Sequence, residues 1–437
     1  MVSFFMQITS KLTHTASTSQ VGVATLLTNT CLMNFGFSMF VPLIAIHFSH
    51  GLGFTAAAIG LVLALRQIAQ QGLDLAGGVF ADRFGARTAI VIGCVVRAAG
   101  FVGIGVSTTL PVLILWAIVS GVGGAFFDAS GTAALADLVA PERRQRMFAA
   151  SATMGNAGQA IGPLLGVALL GINFTVVSLA AAGCFVLVGA LSFAFLPDTL
   201  LRGSAASDGE PVANPGGASG VMATLRTLRR DRTFVLLTLL LAGFWFLWAQ
   251  LNIGVPLAAV RIGGPTFGAT LAGLAFAINA APAILIQYPL ARYVGERYTP
   301  RVALVASVAL SGVGMALVFV TANVAIFVLG IAVFALARML VWPTVNAVTA
   351  NLAPPHMLGA YFGFGALAVA IGAGLGQFLG GFLFDLSTAS HQPAVLWAPI
   401  LLIGLAAAYG LSRLSLPAHI AAVPERESVQ SAVKSTR

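Results

Sequence analysis

Charge is what this chain has least of. Only 8% of its residues are Asp, Glu, Lys or Arg, against about 25% in soluble domains. So few charges cannot cover a water-facing surface, and a soluble globular fold is excluded. Cysteine is scarce too. Cys31, Cys94 and Cys184 all fall inside apolar runs, and their odd number and spacing fit neither a disulfide framework nor a zinc site. The six histidines are scattered. They form no His/Asp/Glu cluster of the kind an enzyme acting on lipid-linked substrates would need, which leaves that class a distant alternative. No Gly-x-x-x-x-Gly-Lys-Ser/Thr phosphate loop occurs, so ATP-driven pumping lacks its motor. No enzyme activity, cofactor or metal is expected.

Long apolar runs take the place of charge. Hydrophobic residues make up 58% of the 437 positions. Many separate runs reach the roughly 20 residues a helix needs to cross a bilayer. Backbone groups must be satisfied internally in hydrocarbon, so helices are the default. The runs are continuous and rich in Leu, Ala, Val and Gly, without the period-two alternation of a barrel. The 49 glycines suit close helix packing in lipid.

The pattern predicts twelve transmembrane helices, near 21–47, 56–80, 88–107, 110–130, 147–170 and 175–197, then 233–259, 267–290, 301–320, 324–346, 361–384 and 395–416. The expected fold is an all-α integral membrane protein of two pseudo-symmetric six-helix bundles, 21–197 and 233–416. Flanking them are a cytoplasmic N-terminal segment at 1–20, a central loop at 198–232 and a tail at 417–437. The central loop is rich in Ser, Gly and Pro and predicts a short amphipathic helix around Leu225 to Arg232. The first 20 residues lack the order of a cleavable signal, so the first helix is expected to act as the insertion signal.

Basic residues set the orientation. Of the 22 Lys and Arg residues, Arg66, Arg97 and Arg338 lie inside predicted helices and Arg261 alone falls on one face. All the rest gather on the other, which the positive-inside rule makes cytoplasmic, with both termini. The same placement accounts for the net charge of +9 without a nucleic-acid partner. The expected partners are the lipid bilayer, a small-molecule substrate and protons, and the expected state is a monomer.

The halves repeat. A displacement of 210 positions lays Gly85-Ala86-Arg87 on Gly295-Glu296-Arg297 and Gly162-Pro163-Leu164-Leu165-Gly166 on Gly372-Ala373-Gly374-Leu375-Gly376. One shift serving two distant sites points to duplicated halves, between which transporters place substrate near the midplane.

Two motifs carry chemistry. The turn Gly78-Val79-Phe80-Ala81-Asp82-Arg83-Phe84-Gly85-Ala86-Arg87 joins helices two and three. Gly85 permits a tight turn, and Asp82 can face a helix N-terminus. On helix five, Gly158, Gly162, Pro163 and Gly166 combine a smooth glycine face with a proline that removes one backbone donor. Both motifs resemble signatures of the major facilitator superfamily, the second that of its antiporters. The resemblance spans nearly the whole chain. It is closest to bacterial multidrug/proton antiporters at Leu63–Leu73, at Arg97–Phe101 and from Phe384-Asp385 to His391-Gln392-Pro393.

The resemblance implies a proton-driven exporter of small amphipathic drugs or metabolites in a bacterial inner membrane, working by alternating access. Import or facilitated diffusion of a metabolite is the alternative. It also implies that Gly78, Asp82, Arg83, Gly85 and Arg87 form a cytoplasmic gate. In that gate Asp82 would face the start of helix eleven near Ala360 and Tyr361, and Asp128 would contact Arg83 or Arg87. Two departures stand out: Ala86 replaces the usual basic residue, and Ala117, four residues before Gly121, replaces the helix-four arginine of drug antiporters.

Charges inside the membrane cost roughly 2.5–3.5 kcal/mol each on insertion scales, so they should face a partner or a cavity. Arg66, Gln70 and Asp74 recur every four residues, which puts them on one helical face, and Gln67 and Gln71 widen it. Asp74 is the candidate proton-coupling carboxylate, with Arg66 beside it, because burial and a neighbouring arginine pull its protonation in opposite directions. Aromatic and amide groups suit amphipathic substrates. The cavity candidates are Asn29, Asn34, Arg66, Gln67, Gln70, Trp245, Trp248, Asn252, Asn279 and Arg338.

Overall fold

A computed structural model describes residues 18–197, 231–320, 322–354 and 358–414. The N-terminal segment, nearly all of the central loop with its expected amphipathic helix, and the C-terminal tail lie outside the described residues. Thirteen α-helices are described: α1 (Thr18–Ile46), α2 (Ala56–Gly72), α3 (Asp74–Phe84), α4 (Ala86–Val106), α5 (Leu110–Leu138), α6 (Pro141–Leu170), α7 (Phe174–Phe195), α8 (Arg232–Ala249), α9 (Gly254–Gly295), α10 (Pro300–Val320), α11 (Val324–Leu352), α12 (Leu358–Ser390) and α13 (Ala394–Arg413). No strand occurs among the described residues.

Local chemistry sets many of the helix starts. Thr55, Asn173, Asp231 and Asn323 each accept, through a side-chain oxygen, from a backbone N–H in the first turn of the helix that follows. Such caps satisfy donors that no intrahelical carbonyl can reach. Pro111 and Pro141 stand in first turns, where a missing N–H costs nothing. Gly85, at φ 91°, turns α3 into α4, a conformation that suits glycine.

Among the described residues, nine helical segments are long and apolar enough to cross a membrane, or ten if the bent pair α2–α3 is one span. One of the nine, Arg232–Gly295, runs 64 residues, far beyond what a bilayer requires. Gly264, at φ 71°, divides it. Counting both parts, and adding α6, accounts for twelve spans. α6 falls short on composition because Asn156, Gln159 and its glycines dilute the apolar run after the opening arginines, and it still packs along the length of α1.

Within each half the helices pack by the same device. On α6, a side chain at Gly158 would collide with the Cys31 carbonyl, at Gly162 with the Phe35 carbonyl and Ser38 Oγ, and at Gly166 with the Met39 carbonyl. On α12, Gly372 abuts the Ala242 carbonyl and Gly376 the backbone of Phe246, both on α8. The 210-residue repeat therefore corresponds to one packing solution used twice, with small residues letting two backbones touch.

The two halves meet chiefly through α2 with α12, α6 with α9, and α1 with α9. The close approaches are Gly60 on the Gln377 carbonyl, Gly381 on the Ala56 carbonyl and Gly273 on Val167. All lie toward the end opposite the one bearing Arg83, Arg87, Arg143, Arg144, Arg146, Arg292, Arg297, Arg301 and Arg413. At that basic end, α3 has at most marginal packing on α12 among the described residues. Among the described residues, the contacts between the halves gather at the end opposite the basic one.

Candidate transport cavity

A cavity of about 370 Å³ lies inside the N-terminal half and reaches toward the basic end. Its deep part is lined by Asn34 and Phe37 of α1, Arg66, Gln67, Gln70 and Gln71 of α2, Arg97 of α4, and Asp128 of α5. Gln159 of α6 and Trp248 of α8 also face it, and Leu26, Leu135 and Phe148 line its mouth.

The polar groups form a relay. Arg66 Nη1 donates to Gln70 Oε1 at 2.9 Å, and Nη2 donates to Gln67 Oε1 at 3.0 Å. Gln70 turns its other end outward, Nε2 donating to Asp128 Oδ2 at 2.7 Å. Gln70 thus joins a cation to a carboxylate, with its oxygen on the first and its nitrogen on the second. Both arginines line the cavity with Asp128. Phe37 packs between them, its ring centroid 5.0 Å from the Arg66 guanidinium carbon and 5.4 Å from that of Arg97. Cation–π contact of this kind offsets part of the cost of burying a guanidinium.

Glycines on α5 make room for this cluster. Gly121 abuts the Arg66 carbonyl and Gly123 the Arg97 backbone, and a side chain at Gly124 would run into Arg97 Nη1 and Gln70. Ala117, one turn outward on α5, is buried. Arg97 enters the cavity from the neighbouring helix α4. Sequence reasoning had named Arg97 without placing it and had passed over Phe37 and Gln159. Their signal was the glycine run on α5, which marks a helix whose neighbours approach closely.

Several expected site residues stand elsewhere. Asp74 is not on the Arg66–Gln70 face. Leu73 leaves helical geometry at φ −101°, ψ 1°, the helix bends 46°, and Asp74 opens α3 as its first-turn acid. It does not line the cavity. Asp128 does not reach the turn at Arg83 and Arg87: it lies in the cavity with Gln70, and Arg87 instead stacks on Phe193 at 4.4 Å. Gly78, Asp82 and Arg83 lie on α3, the last two exposed in its final turn before Gly85 ends the helix. The start of α12 is engaged from within its own half, Tyr361 donating its hydroxyl to Asp231 at 2.9 Å. The Asp82 contact is therefore not made among the described residues in this conformation.

Asn29 is a packing contact, Nδ2 donating to Ser192 Oγ at 2.8 Å. Asn34 lines the cavity and donates to the Thr30 carbonyl. In the C-terminal half, Arg338 is occupied by Asn279, donating through Nε to Oδ1 and through Nη2 to the backbone carbonyl, both at 3.1 Å. Neither lines the cavity, nor does buried Asn252. Trp245 packs edge-on against Trp248 and Trp342, at 5.9 and 5.4 Å between centroids. Of these three, Trp248 alone reaches the cavity. Among the described residues no group of His, Cys, Asp and Glu is arranged to hold a metal.

Two repeated six-helix bundles of the same sense, the first holding a polar cavity, define a membrane transporter. The chain belongs to the Major Facilitator Superfamily, whose family model matches residues 26–281 and 264–436. It is 35% identical over 374 residues to a multidrug resistance protein MdtH of Aeromonas salmonicida, covering 85% of this chain and 89% of that one. It is 32% identical over 380 residues to the protein of that name in Escherichia coli, covering 87% and 90%. In fold it resembles a POT family transporter solved with 5-aminolevulinic acid, with a TM-score of 0.74 at 15% identity over 89% of this chain and 94% of that one. It also resembles the nucleoside transporter NupG, with a TM-score of 0.71 at 13% identity over 90% and 99%.

Proposed function

We propose that this protein exports small amphipathic molecules in exchange for protons by alternating access. It would sit in a bacterial inner membrane with both termini cytoplasmic. The positive-inside rule makes the basic end cytoplasmic, so the parted conformation would load substrate from the cell interior. The relatives named for multidrug resistance support the direction of transport.

The observation that carries the reading is Asp128, the only carboxylate lining the cavity, set among Arg66, Gln70 and Arg97. A carboxylate there can alternate between a proton and a substrate cation. The cavity lining holds two cations against one anion, so an acidic substrate group would be drawn to the arginines. A basic group on the same molecule would compete with the proton for Asp128, which yields exchange. A purely anionic substrate would instead bind best beside a protonated Asp128, which yields co-transport. The geometry therefore favours substrates carrying both an acidic and a basic group on an aromatic body, with Phe37, Phe127 and Trp248 as apolar walls.

The test is purified protein in proteoliposomes, challenged with a panel of zwitterionic, anionic and cationic amphipaths with and without an imposed pH gradient. Gradient-driven movement of zwitterions against the proton flow is expected. Counterflow indifferent to the gradient would make the protein a facilitator instead.

A further inference from the structure

The outer seal between the halves contains a charged contact that no signature motif announced. Asp385, near the last turns of α12, reaches across to the first turn of α2. Its Oδ1 accepts from Ala56 N at 2.9 Å, and its Oδ2 accepts from Ala57 N at 2.8 Å. Thr55 caps the next donor, Ala58 N, at 3.2 Å. Two of the donors that any α-helix leaves unsatisfied at its start are thus met by the opposite half of the molecule. An ionised carboxylate at that position also faces the positive end of the helix dipole, and bonds to a charged acceptor are the stronger kind.

Around this contact the backbones touch. Gly381 abuts the Ala56 carbonyl and Gly60 the Gln377 carbonyl, and a side chain at Gly374 would press on that of Ile68. The seam also contains a burden. Gln377 is fully buried there, and neither atom of its amide has a hydrogen-bond partner among the described residues. Enclosing an unpaired amide disfavours the closed seam, while the Asp385 cap favours it. At the basic end α3 has at most marginal packing on α12 among the described residues, and Asp82 is exposed.

We propose that Asp385 is the latch of the outer gate. It holds the inward-open state by capping α2 from the opposite half, against the opposing pull of buried Gln377. Opening the outer end breaks both bonds at once, because α2 and α12 belong to bundles that move as units, and it releases the Gln377 amide to water. The two residues then set the resting balance between conformations from opposite sides. This inference concerns the gate alone and holds whether or not protons are the driving ion.

The experiment measures conformation directly. Spin-label pairs are placed at the outer end (His50→Cys with Ala389→Cys) and at the basic end (Thr88→Cys with Arg301→Cys), all exposed positions, in the full chain with its native cysteines replaced. Distances are read by pulsed electron resonance. Asp385→Ala should lengthen the outer distance and shorten the inner one, moving the outward-to-inward ratio roughly tenfold, as loss of bonds to a charged group implies. Asp385→Asn should give a smaller shift the same way, since one amide oxygen can still accept. Gln377→Leu should move the ratio oppositely, toward the inward-open form. Misfolding cannot produce shifts of opposite sign. Unchanged distances in Asp385→Ala, or shifts of the same sign in Asp385→Ala and Gln377→Leu, would overturn the proposal.

Discussion

The two halves of this molecule share a scaffold and divide the chemistry. Each packs its first helix onto a glycine-lined fifth helix, α1 on α6 and α8 on α12, with backbones in contact. The charged cavity belongs to the N-terminal half. Its arginines, Arg66 and Arg97, face that cavity together with a carboxylate and four glutamines. The C-terminal half has one deep arginine, Arg338, and Asn279 satisfies it. Trp245 packs there edge-on against Trp248 and Trp342. Duplication therefore fixed the packing, while the polar positions diverged. Backbone contact tolerates almost no variation, whereas side chains facing a cavity are free to change.

Asp128→Asn tests this division most severely. With the cavity's only carboxylate gone, pH-gradient-driven transport in proteoliposomes should fall to the level of protein-free vesicles, while the protein still folds and extracts normally. Undiminished gradient-driven transport would move the coupling site out of the N-terminal half.

The shared scaffold predicts the next effect. Gly158→Val should drive α1 off α6 and destabilise the protein by about 1–3 kcal/mol or more, the usual cost of overpacking, read as a lowered melting temperature in detergent. Gly372→Val should cost a similar amount in the other half. A large cost on one side only would mean that the two seams are not equivalent.

Arg338→Ala should act through stability, because it leaves the Asn279 oxygens without their donor, at a cost of about 1–3 kcal/mol. All substrates should then lose transport in parallel with the melting temperature. Loss confined to some substrates would place Arg338 in the binding surface and weaken the contrast between the halves.

The smallest effect is expected from Asp74→Asn. At the first turn of α3, its charge contributes roughly 0.3–1 kcal/mol through the helix dipole, and transport should persist. Abolished coupling with intact folding would return the proton to Asp74.

Much of the architecture was legible because bilayer physics writes it into single residues. Run length, glycine content and the positions of arginines each carry the signal without reference to distant parts of the chain. The site was less legible. Arg66, Gln67, Gln70 and Asn34 were found because buried polarity on one helix stands out by itself. Asp74 was misplaced because four-residue spacing assumes an unbroken helix, and Leu73 breaks it. Asp128 was assigned to the turn because sequence proximity to the inner end of α5 cannot show which neighbour its carboxyl meets. Trp245, Asn252, Asn279 and Arg338 are polar or aromatic within a membrane helix, yet they pack or pair away from the cavity.

The sequence by itself determined that the chain is a helical membrane protein of twelve spans in two repeated halves, because hydrocarbon forbids unsatisfied backbone and admits few charges. Tertiary structure alone decided which charges meet. Gln70 joins Arg66 to Asp128, and Asp385 caps a helix more than three hundred residues away, because both depend on where separate helices come to rest against one another.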